Sequence, residues 1–315
     1  MLFSAQDERV LETACNLADA YNLKILGALS KPVLSQELKK LLVKSRTTSE
    51  KTPQTQNAIL PVNELRQAIS NDQIVPFFQP QLDVVTKKLH AVEVLARWEH
   101  PTRGILLPSL FIPIAEESGL IDALTRSILR QSLAQLGTWF SCTGERFSIS
   151  INLSTDSLCQ IDLPEQLVDL AKINEIPCSF IILEITESRL LQNLASSLDV
   201  LVRLRLKGFG LSIDDFGTGY SCLDQLNKIP FNELKIDRAF VHGASHNLAS
   251  KAILESSIEL ARKLKMQVVA EGVESIEDWE LVASLKCDFA QGYYVAKPMS
   301  ASNFSLWVKQ KNLIA

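Results

Sequence analysis

From about residue 60 onward, short apolar runs alternate with longer segments of helical periodicity, and this alternation limits the folds open to the chain. Strand–helix alternation predicts parallel strand pairing and an α/β fold. About eight runs within roughly 250 residues favour a closed (β/α)8 barrel of the TIM type, with an open doubly wound sheet as the alternative. The apolar runs span 75–83, 89–97, 147–154, 180–187, 209–216, 233–238, 266–272 and 288–297, and the helical segments include 122–140, 191–206, 248–264 and 276–285.

The chain before residue 60 has a different pattern and predicts a separate, smaller unit. Residues 7–21 have helical periodicity, residues 23–29 form a short apolar run, and residues 34–42 are amphipathic. Residues 44–57 contain no large apolar side chain and are rich in Thr, Ser, Gln and Lys, which is typical of an exposed linker. The predicted organisation is a small α/β segment at 1–43, a linker at 44–61 and a barrel domain at 62–315.

The composition is that of an ordinary globular protein with a small acidic excess. The chain has 32 basic and 36 acidic residues and a net charge of −4, so no basic surface for duplex nucleic acid is predicted. No apolar run reaches the length of about 18 residues that suggests a membrane-spanning helix, so no membrane insertion is predicted. The six cysteines are scattered without a C-x-x-C pair, which favours reduced thiols in a cytoplasmic protein.

Polar residues lie in or directly after nearly all of the apolar runs, where a buried strand does not need them. The carboxyl ends of barrel strands meet on one face, so these side chains are expected to surround one cavity. A single acidic residue at a strand end is more often a helix cap, but several carboxylates around one cavity would repel each other unless cations were present. The polar residues are Glu93, Asn152, Glu184, Asp214, Asp215, Lys235, Asp237, Glu271 and Gln291.

This set favours a site for two divalent metal ions. Its metal-binding atoms are oxygens and it contains no histidine, which favours Mg²⁺ or Mn²⁺ over zinc. Asp214 and Asp215 are adjacent, and Gly217 and Gly219 follow, so the strand is expected to end there and let both carboxylates face the cavity. Lys235 is a candidate to orient an attacking water, the alternative being a surface lysine.

Several motifs resemble those of the EAL-domain cyclic di-GMP phosphodiesterases. The segment 93–101, EVLARWEHP, is similar to the signature of that family, except that Val94 replaces its middle alanine. The side chain of Val94 should point away from the face of Glu93, so a packing change with retained chemistry is expected. The companion motifs follow in family order over about residues 65–315, namely Gln79-Pro80, Asn152-Leu153-Ser154, Glu184-Ile185-Thr186-Glu187, the segment 214–221, Lys235-Ile236-Asp237, Glu271-Gly272-Val273-Glu274 and Gln291-Gly292-Tyr293.

The resemblance implies an EAL-type barrel that hydrolyses cyclic di-GMP to linear pGpG with two Mg²⁺ or Mn²⁺ ions and is inhibited by Ca²⁺. The implied ligands are Glu93, Asn152, Glu184 and Asp214 for the first metal, and Asp214, Asp215 and Glu271 for the second. The implied catalytic residues are Glu93, Asp214, Lys235, Glu271 and Gln291, with Lys235 placing the attacking water. The implied substrate contacts are Gln79, Leu95, Arg97 and Asp237.

The loop 216–226 resembles a family element that couples metal binding to dimerisation, which implies a homodimer. Its implied coupling residues are Glu187, Phe216, Gly217, Thr218, Gly219 and Ser221. The N-terminal segment, with Lys31-Pro32, resembles the last third of a response-regulator receiver domain and implies an upstream histidine kinase for a full-length protein. The strand that would carry a phosphoacceptor aspartate is missing, so the segment is expected to be truncated and phosphorylation of this chain is not predicted.

Three alternatives remain at this stage. A non-catalytic receptor could hold cyclic di-GMP without cleaving it, but degenerate domains of that kind lose metal ligands or the lysine, and all are present here. A metal-dependent aldolase on the same barrel would more readily carry a glycine-rich phosphate loop late in the chain, and none follows Gln291. A scaffold that binds partners through the N-terminal segment remains open as an additional role.

Overall fold

The computed structural model describes residues 2–4, 28–30, 60–143, 146–187, 194–218, 226 and 228–311. The chain divides into two compact units, Met1–Ile59 and Leu60–Ala315. In the first unit, strands β1 (Leu2–Ser4) and β2 (Ala28–Ser30) pair in parallel. The helices expected at 7–21 and 34–42 and the linker lie outside the described residues, so the resemblance to a receiver domain stays a prediction.

Eight strands of the second unit close into the expected barrel, in the order β3-β11-β10-β9-β8-β7-β6-β4 with β3 also paired to β4. The short strand β5 extends from β4 as a hairpin. The strands are β3 (Ile74–Asp83), β4 (Leu89–His100), β5 (Gly104–Leu106), β6 (Ser148–Asn152), β7 (Ile181–Thr186), β8 (Gly210–Phe216), β9 (Glu233–Ile236), β10 (Gln267–Ala270) and β11 (Phe289–Ala290).

One strand departs from the expected parallel pairing. Strand β3 runs antiparallel to both of its neighbours, β4 and β11, whereas the other neighbouring barrel strands from β4 to β11 are parallel. The reason is the connection at residues 84–88, which is too short for a crossover helix and returns the chain directly into β4. The carboxyl end of β3 therefore lies at the opposite end of the barrel from those of the parallel strands.

Helices surround the barrel and largely follow the predicted segments. The helix at 276–284 begins with a capping box, in which Ser275 and Asp278 accept hydrogen bonds from each other's backbone N–H groups. Asn247 caps the helix at 248–263 by accepting from the backbone N–H groups of Ala249 and Ser250. The helices are α1 (Val62–Ser70), α2 (Pro108–Glu117), α3 (Ile121–Thr143), α4 (Thr155–Leu158), α5 (Leu163–Ile173), α6 (Leu194–Leu206), α7 (Arg238–Val241), α8 (Leu248–Lys263), α9 (Ile276–Ser284) and α10 (Ala301–Lys311).

The apolar core lies between the barrel and these helices, so most apolar side chains of the strands point outward into it, whereas a few, such as Ile182, lie inside the barrel. In β8, Leu211 and Ile213 are fully buried in this core, while Ser212 and Asp214 alternate with them on the other face. Burial on both faces explains why the strands read as nearly continuous apolar runs. The same alternation places polar side chains inside the barrel.

The last barrel strand, β11, is shorter than the apolar run that predicted it. Strand β11 covers only Phe289–Ala290 of the run 288–297, because the chain then turns against the segment that follows β10. The backbone N–H of Val273 donates to the Gln291 carbonyl at 3.0 Å, and a Cβ at Gly292 would lie 2.1 Å from the Val273 carbonyl oxygen. Gly292 is therefore required for this close approach.

Among the described helices, none is long and apolar enough to cross a membrane.

Candidate active site

A cleft of about 420 Å³ opens at the carboxyl-terminal face of the parallel strands. It collects residues that are up to about 200 positions apart in the chain, as expected for the mouth of a barrel. Its walls combine carboxylates, amides and a few apolar side chains. The lining residues are Gln79, Glu93, Leu95, Asn152, Thr186, Asp214, Asp215, Arg238, Glu271, Gly272, Glu274, Gln291, Gly292 and Tyr293.

Lys235 lies beneath this cleft at the centre of a carboxylate cluster. Its Nζ is 2.7 Å from Glu271 Oε1 and 2.9 Å from Glu184 Oε1. It is also 3.2 Å from Asp214 Oδ1 and 3.6 Å from Glu93 Oε1. The lysine side chain is 0% exposed, which excludes the surface-lysine alternative. The predicted convergence of these five side chains is therefore confirmed.

Charge and burial oppose each other within this cluster. Burial disfavours the ammonium, but the surrounding carboxylates, Asp214 first, outweigh it and hold the pKa of Lys235 well above its usual value. Burial raises the pKa values of Glu184 and Glu271 well above the usual range, although the Lys235 ammonium opposes the increase. One ammonium does not balance all of the neighbouring carboxylates, so the cluster is built to hold additional positive charge.

A second group of carboxylates extends the cluster toward the cleft. One carboxylate oxygen from each of Asp214, Asp215 and Glu271 lies within 4.8 Å of the others. Asp215 has φ +56°, and the pairing of β8 with β9 is irregular between Ile213 and Phe216. This bulge breaks the usual alternation and allows two adjacent aspartates to reach one site. Burial and the neighbouring Asp214 raise the pKa of Asp215 to about 6.

The donor chemistry of the cluster fits divalent metal ions. Glu184 Oε1 and Asp214 Oδ1 are buried and, apart from ionic contact with Lys235, have no hydrogen-bond partner in the described part of the chain. Asn152 Nδ2 donates to Glu184 Oε2 at 3.1 Å, which leaves its own carbonyl oxygen available. Carboxylate and amide oxygens of this kind are ligands for hard cations. The side chains predicted to be metal ligands therefore lie close together, and their role as ligands and their assignment to one metal or the other stay predictions.

A network of glutamines holds Glu93 from the side opposite Lys235. Gln291 Nε2 donates to Glu93 Oε2 and, at 3.1 Å, to Gln79 Oε1. Gln81 Nε2 donates to Gln291 Oε1 at 2.8 Å. Gln79 Nε2 in turn donates to the Ala296 carbonyl at 3.0 Å. Sequence reasoning missed Gln81, although its position two residues after Gln79 places it on the same face of β3.

The predicted substrate contacts occupy different surroundings. Leu95 and Gln79 line the cleft. Asp237 caps α7, since its Oδ1 accepts from the Ala239 backbone N–H at 2.9 Å. Arg97 does not line this cleft; its guanidinium lies 5.7 Å from the Phe77 ring centroid, and burial lowers its pKa. These four residues therefore do not all line the same cleft, and their contacts with a substrate stay predictions.

Other residues at the mouth of the cleft were given no role from sequence, although Thr186, Glu274 and Tyr293 belong to the motifs that resemble those of the family. Arg238 donates to Glu274 Oε1 at 2.9 Å, and both line the cleft together with Tyr293 and Thr186. Gly272 has φ +66°, and a Cβ there would lie 2.2 Å from Arg238 Cγ. Their positions in the sequence could have indicated a place at the cleft, because Arg238 directly follows the Lys235-Ile236-Asp237 motif and Glu274 lies three residues after Glu271.

The loop that follows β8 is anchored as the resemblance implied. Glu187 is buried, and its Oε2 accepts from the Gly217 backbone N–H at 3.1 Å. Gly217 has φ +97°, and a Cβ there would lie 2.9 Å from the Phe240 ring. The Thr218 hydroxyl donates to the Asp215 carbonyl at 2.8 Å, so the start of the loop is tied to a predicted metal ligand. The coupling residues Gly219 and Ser221 lie outside the described residues.

Val94 lies on the outer face of β4, away from the carboxylates. It is 3% exposed and lines an apolar cavity of about 220 Å³ between the barrel and helices α2 and α3. Glu93, its neighbour, faces inward toward Lys235. The placement agrees with a packing change at Val94 that leaves the carboxylate set unaltered.

Comparison with known proteins agrees with this geometry. The chain is 36% identical over 240 residues to the bifunctional diguanylate cyclase/cyclic di-GMP phosphodiesterase MucR of Pseudomonas aeruginosa, covering 76% of this chain but only 35% of that protein. It is 35% identical over 306 residues to the cyclic di-GMP phosphodiesterase RocR of the same organism, covering 96% and 78% of the two chains. It superposes on the structure of the MucR phosphodiesterase in complex with cyclic di-GMP with a TM-score of 0.73 at 35% identity, covering 77% of this chain and 98% of that one. Residues 62–298 match the EAL domain, and the chain therefore belongs to the EAL-domain family.

Proposed function

We propose that this chain is a phosphodiesterase that hydrolyses cyclic di-GMP to linear pGpG. The observation that carries the proposal is the complete carboxylate cluster around the buried Lys235 ammonium, continuous with the three carboxylates of Asp214, Asp215 and Glu271. The relatives support the substrate, since RocR is named a cyclic di-GMP phosphodiesterase and the MucR phosphodiesterase structure contains cyclic di-GMP. In the proposed reaction, water adds to one phosphorus and the bond from that phosphorus to the O3′ leaving group breaks.

Two Mg²⁺ or Mn²⁺ ions fit the oxygen-rich donor set, with Ca²⁺ as an inhibitor. Glu93, Asn152, Glu184 and Asp214 would hold one ion, and Asp214, Asp215 and Glu271 the other. When bound, such ions acidify a water molecule and neutralise charge on the phosphate. The five carboxylates carry five negative charges, which two divalent ions and the Lys235 ammonium together would balance. Ca²⁺ prefers more ligands at longer distances than Mg²⁺ accepts, so it should disturb this arrangement.

Lys235 is proposed to orient the attacking water and to stabilise charge that develops on the phosphate. The ammonium is held by several carboxylates at once, so it presents a fixed charge that needs no reorganisation during the reaction. The surrounding carboxylates hold its pKa well above the usual value, which favours the ammonium form. Gln291 is proposed to support the same network by fixing Glu93 through its side-chain amide.

The substrate is proposed to enter the cleft at the barrel mouth. Gln79 and Leu95 line that cleft and would contact a guanine or the sugar–phosphate backbone. Arg97 would contact a phosphate at the edge of the cleft, where it interacts electrostatically with the lining residues Glu93 and Tyr293. Asp237 would contact the substrate while capping α7.

A catalytic role is favoured over a non-catalytic receptor because each predicted metal ligand and Lys235 is present and the carboxylates converge on the lysine. A receptor needs to recognise the nucleotide but has no use for a buried lysine among carboxylates, which is costly unless it is paired. Retention of the whole cluster therefore indicates chemistry.

Incubation of the purified chain with cyclic di-GMP and Mg²⁺, followed by chromatography of the products, tests the proposal. Linear pGpG is the expected product. Asp214→Asn preserves the shape of that side chain but removes one charge from the cluster and should abolish turnover. Glu259→Gln is the matched control, because Glu259 is exposed on α8, pairs with Lys263 and does not line the cleft. Unchanged cyclic di-GMP after prolonged incubation of the unaltered chain would reject the proposal.

The remaining proposals concern assembly and context. We propose a homodimer in which the loop 216–226, anchored by Glu187 and Gly217, couples the metal site to the dimer contact. The N-terminal unit is proposed to derive from a receiver domain, with a histidine kinase upstream in a full-length protein. The proposed compartment is the cytoplasm, where the proposed substrate, cyclic di-GMP, acts as a signalling molecule. Duplex nucleic acid is not a proposed partner, given the net charge of −4.

A further inference from the structure

A second polar layer lies inside the barrel directly beneath the carboxylate cluster. Each of its members is two residues from a site residue on the same strand, so both side chains share the inner face. Ser212 pairs with Glu233 across β8 and β9 and also lies opposite Glu184. The members are Ser150 below Asn152, Ser212 below Asp214, Glu233 below Lys235, and Gln81 beside Gln79 on the antiparallel strand.

The members of this layer are buried and share a shortage of hydrogen-bond partners. Glu233 is 1% exposed, and Ser150, Ser212 and Gln81 are 0% exposed. Within the described part of the chain, the Ser150 hydroxyl and Gln81 Oε1 have no hydrogen-bond partner, and the Ser212 hydroxyl and the Glu233 carboxyl interact with each other without forming a hydrogen bond of ordinary geometry. A buried carboxyl with few partners is costly, and an apolar residue would be cheaper at this position.

Internal water is the simplest way to satisfy such a group of atoms. Buried waters occupy polar sites and bond to two to four otherwise unpartnered atoms. The layer supplies carboxyl, hydroxyl and amide oxygens that face one interior, and two of its four strands, β8 and β9, are neighbours. Burial raises the pKa of Glu233, although the Ser212 hydroxyl opposes the increase.

We propose that Glu233 is a positioning residue, which holds Lys235 and Asp214 in their reactive arrangement through water bound between Glu233, Ser212 and Ser150. Glu233 itself does not touch the substrate. The layer is joined to the carboxylate cluster from the other side by Gln81, which donates to Gln291 at 2.8 Å. This inference rests on the proposed function.

The test compares Glu233→Leu, which removes hydrogen bonding, with Glu233→Gln, which retains it without charge. Outer partners of a metal site commonly affect activity by about 10–100-fold, so Glu233→Leu should lower kcat for cyclic di-GMP by at least about 10-fold with KM nearly unchanged. Glu233→Gln should stay within about threefold of the unaltered chain. An apolar side chain removes the cost of burying a carboxyl with few partners, so Tm should not fall with kcat.

Ile182→Val is the matched control, because Ile182 is buried two residues before Glu184 on the inner face of β7 and has no polar side-chain atom. It should lower Tm slightly and leave kcat unchanged. Ser212→Ala provides a second route if Glu233→Leu fails to fold, and it should lower kcat in the same direction. A wild-type kcat in Glu233→Leu, or equal losses in Glu233→Leu and Glu233→Gln, would overturn the proposal.

A readout independent of turnover separates this inference from the proposed function. In protein labelled with ¹⁵N-lysine, the Lys235 ammonium should give a slowly exchanging signal because its side chain is 0% exposed; Lys235→Met identifies the signal. The signal should persist in Glu233→Gln and shift or broaden in Glu233→Leu. An unchanged signal in Glu233→Leu would reject the positioning role, whether or not the chain hydrolyses cyclic di-GMP. Absence of hydrolysis by the unaltered chain would instead reject the proposed function.

Discussion

Replacement of Lys235 by methionine removes the only ammonium from the cluster while keeping most of the side-chain volume. The Nζ atom lies within 3.2 Å of oxygens from Glu184, Asp214 and Glu271, so its charge is central to the site. At an effective dielectric constant near 20, two unit charges about 4 Å apart interact by roughly 4 kcal/mol. Loss of a preorganised charge-stabilising group commonly lowers kcat by about 100–1,000-fold, a loss of similar size. We therefore expect Lys235→Met to lower kcat by at least about 100-fold.

Substrate binding should respond differently from turnover. If Lys235 acts mainly on the attack step, its loss should leave the affinity for cyclic di-GMP within a few-fold of the unaltered chain. The assay pairs single-turnover kinetics in Mg²⁺ with calorimetric binding of cyclic di-GMP in Ca²⁺. Lys228→Met is the control for loss of a lysine, since Lys228 is exposed outside the cleft. Normal turnover in Lys235→Met, or an affinity loss as large as the kcat loss, would refute the assigned role.

Three further predictions follow from the site and the barrel. Mg²⁺ or Mn²⁺ should support hydrolysis and Ca²⁺ should suppress it, and full activity in Ca²⁺ after removal of the other metals would contradict the proposed donor geometry. Burial lowers the pKa of His90, which stacks 3.5 Å from the Phe289 ring, to about 4 from its usual 6.5. As the pH falls, the unfolded chain therefore protonates His90 at a higher pH than the folded chain does. Roughly 3 kcal/mol of stability should consequently be lost as the pH falls from about 6.5 to 4. In denaturant titrations, His90→Gln should show a smaller loss over that range than either the unaltered chain or the exposed-site control His246→Gln; equal losses would contradict the prediction. Deletion of residues 1–58 should leave a dimeric, active barrel by sedimentation; a fully active monomer would place the dimer contact in the deleted segment.

The sequence pattern predicted the barrel and the convergence of its carboxylates because both follow from strand–helix alternation. The adjacent Asp214 and Asp215 predicted that the strand ends there; instead β8 continues to Phe216, and a bulge with φ +56° at Asp215 lets both carboxylates reach the site. The antiparallel direction of β3 was missed, although the short connection at 84–88 leaves no room for a crossover. The prediction assumed that a helix connects each strand to the next, and no helix connects β3 to β4.

The parts of the site that sequence reasoning missed depend on contacts between distant segments. Gln81 acquires its role only because β3 brings it beside Gln291, which lies 210 residues away. Arg238 and Glu274 reach the cleft because the left-handed Gly272 lets their two loops pack together. Asp237 was predicted to contact substrate, whereas the structure adds a capping hydrogen bond to Ala239 that any aspartate before a helix can make.

The most direct test of the central claim is hydrolysis of cyclic di-GMP in H₂¹⁸O with Mg²⁺, followed by mass spectrometry of the product. Attack of one water on one phosphorus predicts linear pGpG that carries a single ¹⁸O atom in its terminal phosphate. Asp214→Asn should form no labelled product, and Glu259→Gln should form as much as the unaltered chain. Absence of labelled pGpG from the unaltered chain, or an unlabelled product, would contradict the proposed hydrolysis.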